Sequence, residues 1–354
     1  MSNQKSLPSY LPLRKREDSS SKRFEYIPKK IFQTWEVNQV SSDMYDAVDT
    51  WVSKNPTWEY YFFDVNDRRN FIEHNFSNDI LNAYDAILPG AYKADLWRYC
   101  VLYIHGGVYA DIKIILCNEL DKLLDVDTQF TSVKERHGAS NLNGAVLNSF
   151  ICSKPRHPFL KMAIEIIVEN VRTSYFGKNA LCPTGPFALG RAINNVLNRK
   201  GNSKFKLGKQ KINKFEFTLW FYSNKYLYSS KPKIATVFID KSIKIECFHT
   251  RYLSYVDEKH EYASKLSDHY DYAKCWKKCK IYSTDVDPRK TLYPTIYQIK
   301  KHYRAKEVKA ARRLILDMLF KYHQCSWTLI RCYLRYDLTA PIFSFFDGKT
   351  GLTR

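Results

Sequence analysis

Residues 90–113 constrain the fold more than any other part of the chain, and their sequence is GAYKADLWRYCVLYIHGGVYADIK. Apolar residues at helical spacing predict a helix over 92–105. Gly106 and Gly107 follow, and glycine ends helices because it readily adopts the left-handed conformation found at a helix C-terminus. The apolar residues of 108–112 then predict a buried strand. A helix, a tight turn and a strand in this order are typical of an α/β sheet.

Three charged side chains meet at one end of this predicted strand. Asp95 and Arg98 are three residues apart and share a helix face, and Asp111 lies near the C-terminal end of the predicted strand. Taken alone, the first two could form a surface ion pair and the third could be a turn carboxylate. Open α/β sheets, however, bind ligands at the carboxyl ends of their strands. There a carboxylate can accept hydrogen bonds from sugar hydroxyls, and the planar fork of arginine can serve sugar or phosphate oxygens. The pattern therefore indicates a nucleotide-sugar site.

Strand and helix patterns alternate from residue 26 to residue 76, which predicts an α/β fold in which these strands are parallel. Asp64 follows one predicted strand and is expected to cap the next helix. The strands are predicted at 26–35, 58–63, 130–134, 145–152, 218–222, 234–238 and 243–248. The further helices are predicted at 41–54, 158–172 and 187–197.

The order and spacing of the residues in 90–113 resemble the central motif of glycosyltransferase family 32, the DXD-containing sugar transferases that include fungal initiating mannosyltransferases. The family's pattern is Asp-x-x-Arg-Tyr, then a Gly-Gly-x-Tyr turn, then Asp-x-Asp. The matching residues are Asp95, Arg98, Tyr99, Gly106, Gly107, Tyr109 and Asp111. Residues 27–35 resemble the family's first strand, which contacts the nucleotide base. Segments around Asn148 and Thr184 also resemble family segments, although both residues are often turn or cap residues.

The resemblance implies a GT-A fold, which is a Rossmann-like mixed sheet flanked by helices. It also implies transfer of a hexose from a UDP- or GDP-sugar to a glycan, protein or lipid acceptor, with retention of configuration. Asp95 and Arg98 would hold the donor sugar, and Asp111 would bind ribose and Mn²⁺ or Mg²⁺, which neutralises the departing diphosphate. The other residues expected to bind the donor are Gln33, Thr34, Trp35, Tyr109, Lys113 and Asn148. The alternative is a catalytically degenerate transferase fold that binds a nucleotide, a glycan or nucleic acid.

Lys113 departs from the family's pattern, because it replaces the second Asp of Asp-x-Asp, which usually contacts the metal. Three interpretations remain open. Lys113 could point away while Asp111 and a later residue such as His249, Asp268 or His269 hold the ion. It could itself neutralise the diphosphate as a point charge. The site could also be inactive. Both histidines have the further alternative of a purely structural role.

The basic charge of the chain lies mainly at its ends. Of the formal net charge of +20, residues 1–30 carry +5 and residues 288–354 carry +10, which leaves +5 for 31–287. This distribution argues against nucleic acid as the main partner, whereas basic ends attract phosphates and anionic lipid. We predict a disordered basic arm over 1–25, a GT-A glycosyltransferase domain over 26–287, and a basic, mostly helical C-terminal region over 288–354. The long helix of that region could pack on the main domain, bind a partner or contact a membrane surface.

The remaining composition bears on the compartment. The nine cysteines lack the spacing of a structural zinc site and are expected to be free thiols in a reducing compartment. The N-terminal residues lack the apolar core of a signal peptide, and the sequence has no apolar run of about 18 residues. We therefore expect a cytoplasmic protein, with peripheral membrane or virion association as the alternative.

Overall fold

The computed structural model describes residues 4–6, 24–135, 144–223, 234–238, 246–251, 269, 271–278 and 280–283. Contacts between α-carbons divide the chain into a larger unit, residues 1–175 and 181–283, and a second unit, residues 176–180 and 284–354. Every element below belongs to the larger unit. The predicted helical region over 288–354 lies outside the described residues.

The helices and strands follow the predicted alternation. The strands are β1 (Gln4–Ser6), β2 (Lys30–Thr34), β3 (Gln39–Ser41), β4 (Glu59–Phe63), β5 (Gly107–Ala110), β6 (Ile114–Leu116), β7 (Phe130–Lys134), β8 (Val146–Ser153), β9 (Gly208–Ile212), β10 (Phe215–Ser223), β11 (Ile234–Phe238) and β12 (Glu246–Arg251). The helices are α1 (Ser42–Ser53), α2 (Val65–Asn75), α3 (Asn78–Ala86), α4 (Gly90–His105), α5 (Leu120–Leu123), α6 (Pro158–Arg172), α7 (Pro186–Val196) and α8 (Tyr272–Lys277).

Ten of these strands form one mixed sheet in the order β4-β2-β5-β8-β7-β10-β11-β12-β6, with β9 paired to β10. Strand β2 runs parallel to β4 and β5, and β10 runs parallel to β7. The pairs of β8 with β5 and β7 are antiparallel. The expected α/β architecture with a mixed sheet is confirmed. The parallel pairing predicted from the alternation of strands and helices is confirmed for β2 and β4, whereas β8 runs antiparallel between β5 and β7.

Strand β5 shows why helices cover both faces of the sheet. Its alternate residues Val108 and Ala110 belong to the core cluster that contains Trp51 of α1. Between them, the ring of Tyr109 lies 6.2 Å from the ring of Trp97 on α4. Successive side chains of a strand point to opposite faces, so α1 and α4 cover opposite faces of β5. Helix α4 also packs against α6, which packs against α7.

Helix α4 is buried more completely than its predicted apolar stripe requires. Every residue from Ala94 to Leu102 is buried, including Asp95 and Arg98. Tyr103, one turn after Tyr99, is only half-buried. The helix lies between the sheet and α6, so its charged residues are interior residues whose charges need partners.

The two glycines that end α4 are required by their backbone conformation. Gly106 has φ 65° and Gly107 has φ 98°, as the sequence predicted. A Cβ on Gly107 would lie 2.5 Å from the carbonyl oxygen of Lys30 in β2. Strand β5 then ends at Ala110, two residues before the predicted end, because the chain turns at Asp111.

Other local predictions were confirmed or incomplete. Asp64 caps α2 with a capping box, in which its side chain accepts from the backbone N–H of Asp67 at 2.9 Å. Gln4–Ser6, within the predicted disordered arm, form β1 and pair with β3. Helices α3, α5 and α8 and strands β3, β6 and β9 were not predicted. Among the described residues, no helix combines the length and the apolar character needed to cross a bilayer.

Candidate active site

A β-turn at the end of β5 positions the predicted acidic residue. The N–H of Ile114 donates to the carbonyl oxygen of Asp111 at 3.0 Å, and the N–H of Asp111 donates to the carbonyl oxygen of Ser149 in β8 at 2.8 Å. Ile112, between the two ends of the turn, is buried in the core. Asp111 and Lys113 flank this anchor, and their side chains are 21% and 20% exposed.

Arg98 lies at the centre of the site. Its Nη2 is 3.0 Å from Oδ1 of Asp95, and its Nη1 is 3.2 Å from Oδ1 of Asp111. Nη1 also donates to the carbonyl oxygen of Asn148 at 2.7 Å, and the guanidinium carbon lies 4.4 Å from the ring centre of Tyr109. Burial opposes its charge, but Tyr109, Asp95 and Asp111 together raise the pKa of Arg98. One buried cation therefore holds both predicted carboxylates.

Asp95 is held from three sides. Its Oδ1 accepts from the side-chain amide of Asn148 at 2.8 Å, and its Oδ2 accepts from the hydroxyl of Thr184 at 2.7 Å. Burial raises the pKa of Asp95, while Arg98, Thr184 and Asn148 act to lower it. These donors and Arg98 fix both oxygens of a carboxylate that would be costly to bury alone.

An irregularity in β8 brings Asn148 to this cluster. The register between β7 and β8 shifts between Thr131 and Val133. The hydroxyl of Ser132 bridges the shift by donating to the carbonyl oxygens of Leu147 at 2.6 Å and Phe150 at 3.0 Å. Bulges redirect side chains, and here Asn148 contacts both Asp95 and the hydroxyl oxygen of Tyr99, at 3.1 Å.

The contacts of Asp111 decide what else it can bind. Its Oδ1 accepts from Arg98 and from the hydroxyl of Tyr109, the latter at 2.8 Å. Its Oδ2 lies 3.4 Å from Nζ of Lys113. The side chain of Lys113 therefore points toward Asp111 and not away from it.

The residues predicted to bind the donor from the first strand are Gln33, Thr34 and Trp35. Gln33 is fully buried, accepts from the hydroxyl of Tyr60 at 2.9 Å and donates to the carbonyl oxygen of Asp111 at 3.4 Å. The hydroxyl of Thr34 donates to the carbonyl oxygen of Phe63 at 2.6 Å. Trp35 is half-buried at the edge of the core. Gln33 thus supports the turn at Asp111 through its hydrogen bond. Contact of Gln33, Thr34 or Trp35 with a nucleotide stays a prediction.

The predicted metal ligands are not brought together by the described residues. His249 lies on β12, where its backbone pairs with Ile115 of β6, and its side chain is outside the described part of the structure. His269 is half-buried. Within the described residues, no three His, Cys, Asp or Glu side chains are grouped as a metal site requires. The set of Asp111, His249 and His269 therefore stays a prediction.

Sequence reasoning missed one residue that builds the site and one buried ion pair beside the first strand. Thr184 was treated as a probable turn residue, yet its hydroxyl holds Asp95, and its carbonyl oxygen accepts from Tyr99 at 3.3 Å. Beside β2, the buried Arg68 donates to both carboxylate oxygens of Glu36 at 2.9 Å. The run Thr184-Gly-Pro was a signal for the first residue. The pair of Glu36 and Arg68 has no sequence signal, because the two are 32 residues apart.

Comparison with known proteins shows which families and proteins this chain resembles. Residues 41–130 match the family described as the glycosyltransferase sugar-binding region containing a DXD motif. An uncharacterized glycosyltransferase of Acanthamoeba polyphaga mimivirus is 32% identical over 134 residues, which are 37% of this chain and 52% of that protein. Inositol phosphoceramide mannosyltransferase 2 of Schizosaccharomyces pombe is 28% identical over 164 residues, 46% of this chain and 45% of that protein.

Two further comparisons define the extent of the similarity. The initiation-specific alpha-1,6-mannosyltransferase of Candida albicans is 30% identical over 117 residues, 31% of this chain and 30% of that protein. The chain thus spans about half or less of the length of these relatives. Among solved structures, PaToxG glycosyltransferase is similar with a TM-score of 0.39 and 18% identity, over 49% of this chain and 71% of that one. The predicted resemblance to the DXD-containing sugar transferases is confirmed.

Proposed function

We propose, on the premise that residues 41–130 belong to the DXD-containing glycosyltransferase sugar-binding region, that this chain transfers a hexose from a nucleotide sugar to an acceptor. One observation carries the proposal. The guanidinium of Arg98 lies 3.0 Å from Asp95 and 3.2 Å from Asp111, just beyond the carboxyl end of β5. That edge is where open α/β sheets bind nucleotides.

The proposed reaction exchanges one bond at the anomeric carbon for another. The bond from that carbon to the diphosphate oxygen breaks, a bond to the acceptor's hydroxyl oxygen forms, and the hydroxyl proton passes to the departing diphosphate. Asp95 accepts hydrogen bonds from the donor sugar's hydroxyls, and Asp111 accepts from the ribose. Arg98 keeps both carboxylates in place, so that they do not have to reorganise as charge develops.

The names of the relatives guide the choice of substrates. The fungal relatives are mannosyltransferases, which supports testing GDP-mannose first among the UDP- and GDP-sugars. One of them carries inositol phosphoceramide in its name, which supports including a lipid among the acceptors, beside glycans and proteins. Retention of the anomeric configuration is proposed from the family resemblance.

The test is hydrolysis and transfer with a panel of UDP- and GDP-sugars. We expect at least one donor to be hydrolysed, and Asp111→Asn to lower its turnover by at least about 100-fold, which corresponds to about 2.7 kcal/mol of lost transition-state stabilisation. Asp49→Asn makes the same chemical change at an exposed position of α1 and is expected to leave turnover unchanged. Unchanged turnover in Asp111→Asn, with the fold intact by circular dichroism, contradicts the role of Asp111.

Lys113, in place of the second carboxylate of the family's motif, favours a second candidate function. In this alternative, the fold binds a nucleotide sugar, a nucleotide or a glycan and does not catalyse transfer. Calorimetry distinguishes the candidates. Saturable donor binding without hydrolysis or transfer of any donor, at protein concentrations equal to the donor's, supports the binding protein and contradicts the enzyme.

A further inference from the structure

The carboxylate of Asp111 does not fit a divalent cation in the arrangement that the structure has. Mn²⁺ and Mg²⁺ prefer several oxygen ligands in octahedral geometry. Of the two oxygens of Asp111, one accepts from Arg98 and Tyr109, and the other lies 3.4 Å from the ammonium of Lys113. Across the described part of the chain, no second and third His, Cys, Asp or Glu side chains complete a metal site.

The charges around Asp111 point in the same direction. Asp95 and Asp111 contribute two negative charges, and Arg98 and Lys113 contribute two positive ones. The four formal charges therefore cancel. A carboxylate in place of Lys113 would leave the site with a net charge of −2, which is the charge that one divalent cation neutralises. A carboxylate and a divalent cation together carry a charge of +1. The single ammonium of Lys113 carries the same charge.

We propose that the ammonium of Lys113 binds the diphosphate of the donor in place of a metal ion, so that this chain binds and uses its donor without a divalent cation. The inference rests on the proposed function. As the bond from the anomeric carbon to the diphosphate breaks, both bonding electrons pass to the diphosphate oxygen. Lys113 stabilises that charge by hydrogen bonds and keeps its own proton.

Exposure identifies Lys113 as the cation that reaches the donor. The side chain of Arg98 is 6% exposed, whereas that of Lys113 is 20% exposed. Arg98 is held by Asp95, Asp111 and the carbonyl oxygen of Asn148. An ion pair of 3.4 Å is longer than a charge-assisted hydrogen bond of about 2.7–2.9 Å. The ammonium therefore lies beside Asp111 at more than the distance of a tight charge-assisted hydrogen bond to that carboxylate.

The backbone of Lys113 is held in place by the residues around it. Lys113 is the third residue of the turn that begins at Asp111, and the next residue, Ile114, enters β6. The carbonyl oxygen of Ile114 accepts from the indole N–H of Trp51 at 2.6 Å. Buried neighbours on both sides of Lys113 thus hold its backbone, so that only its side chain loses conformational entropy when it orders on a phosphate.

The test is calorimetry with UDP and GDP, on the full chain, in EDTA and in Mn²⁺. For the wild-type chain we expect binding of one nucleotide in EDTA, with an affinity that Mn²⁺ changes by less than about twofold. Loss of a hydrogen bond between charged groups weakens binding by about 10- to 100-fold, so we expect that loss in Lys113→Gln, with no recovery in Mn²⁺. Lys113→Arg keeps the charge and is expected to stay within about 10-fold of wild type.

The decisive variant is Lys113→Asp, which restores Asp-x-Asp. We expect it to lose binding in EDTA and to recover it in Mn²⁺. Lys161→Asp makes the same charge change at a 65% exposed position on α6 and is the matched control, expected to bind as wild type. Circular dichroism and thermal unfolding of each variant establish that the fold is kept.

Several results overturn the inference. They are loss of wild-type binding in EDTA, an increase of more than 10-fold in Mn²⁺, wild-type affinity in Lys113→Gln, and absence of nucleotide binding under both conditions. The proposed function fails separately. If binding is insensitive to EDTA and depends on Lys113, but no nucleotide sugar is hydrolysed or transferred, the inference stands and the transferase activity does not.

Discussion

Replacing Arg98 with leucine is expected to destabilise the fold by about 4 kcal/mol at pH 7. The arginine is buried and holds Asp95 at 3.0 Å, and leucine keeps much of the apolar contact with the ring of Tyr109 but no charge. Removal of one partner from a buried ion pair costs about 3–5 kcal/mol, because the other charge is left in a poorly solvated environment. The lost hydrogen bond to the carbonyl oxygen of Asn148 adds about 1 kcal/mol, which lies within the uncertainty of that range.

The measurement is urea unfolding, followed by circular dichroism. Arg69→Leu is the matched control, because Arg69 is 42% exposed and pairs with Glu73 and Asp85 at the surface, where an ion pair contributes about 0–1 kcal/mol. In the double variant Arg98→Leu/Asp95→Asn, the uncompensated charge is absent. We expect the double variant to be more stable than the sum of the two single effects by about 1.5–3 kcal/mol.

The pH dependence provides a second check on the same reasoning. Burial raises the pKa of Asp95 even with Arg98 present, and loss of the cation removes one influence that lowers it. The folded state then binds the proton more tightly than the unfolded chain, whose Asp pKa is about 3.9. Stability consequently falls as pH rises from about 4 through the folded pKa. The deficit of Arg98→Leu should be smaller at pH 5 than at pH 7.

Two outcomes would refute this account of Arg98. The first is a loss of less than about 1 kcal/mol, the value expected of a surface pair. The second is a deficit that is equal at pH 5 and pH 7 and unchanged by Asp95→Asn. Either result means that Arg98 does not compensate the charge of Asp95.

Three further substitutions test the frame around the site. Thr184→Val removes the hydroxyl that donates to Asp95 at 2.7 Å. We expect it to lower the free energy of unfolding by about 1.5–3 kcal/mol, measured with urea at pH 7. A change below about 0.5 kcal/mol contradicts a hydrogen bond to a charged carboxylate. Gly107→Ala places a Cβ 2.5 Å from the carbonyl oxygen of Lys30 at φ 98° and should lower stability by at least about 1–3 kcal/mol, seen as a lower thermal midpoint; an unchanged midpoint speaks against the strained turn. Asp64→Ala removes the capping box of α2 and should cost about 1 kcal/mol, with equal thermal midpoints as the contrary result.

Local sequence signals predicted the elements that they determine directly. Helix α6 and strands β7 and β11 were predicted with the bounds that the structure has. The apolar residues of α6 recur at helical spacing, and His157 and Pro158 mark its start. Short elements such as α5, with four residues, and β6, with three, escaped prediction, because so few residues establish no period.

The sequence by itself determined the helix, the glycine turn and the strand end that carry Asp95, Arg98 and Asp111, because spacing along a helix and glycine backbone freedom are local properties. Only the tertiary structure decided which partners these charges have. Asn148 and Thr184 reach Asp95 from 53 and 89 residues away, and no local pattern encodes such distances. The conformation of Lys113 likewise depends on the turn around buried Ile112, which brings its ammonium to Asp111. Burial then makes the pairing of these charges a requirement, since an unpaired charge in the interior costs several kcal/mol.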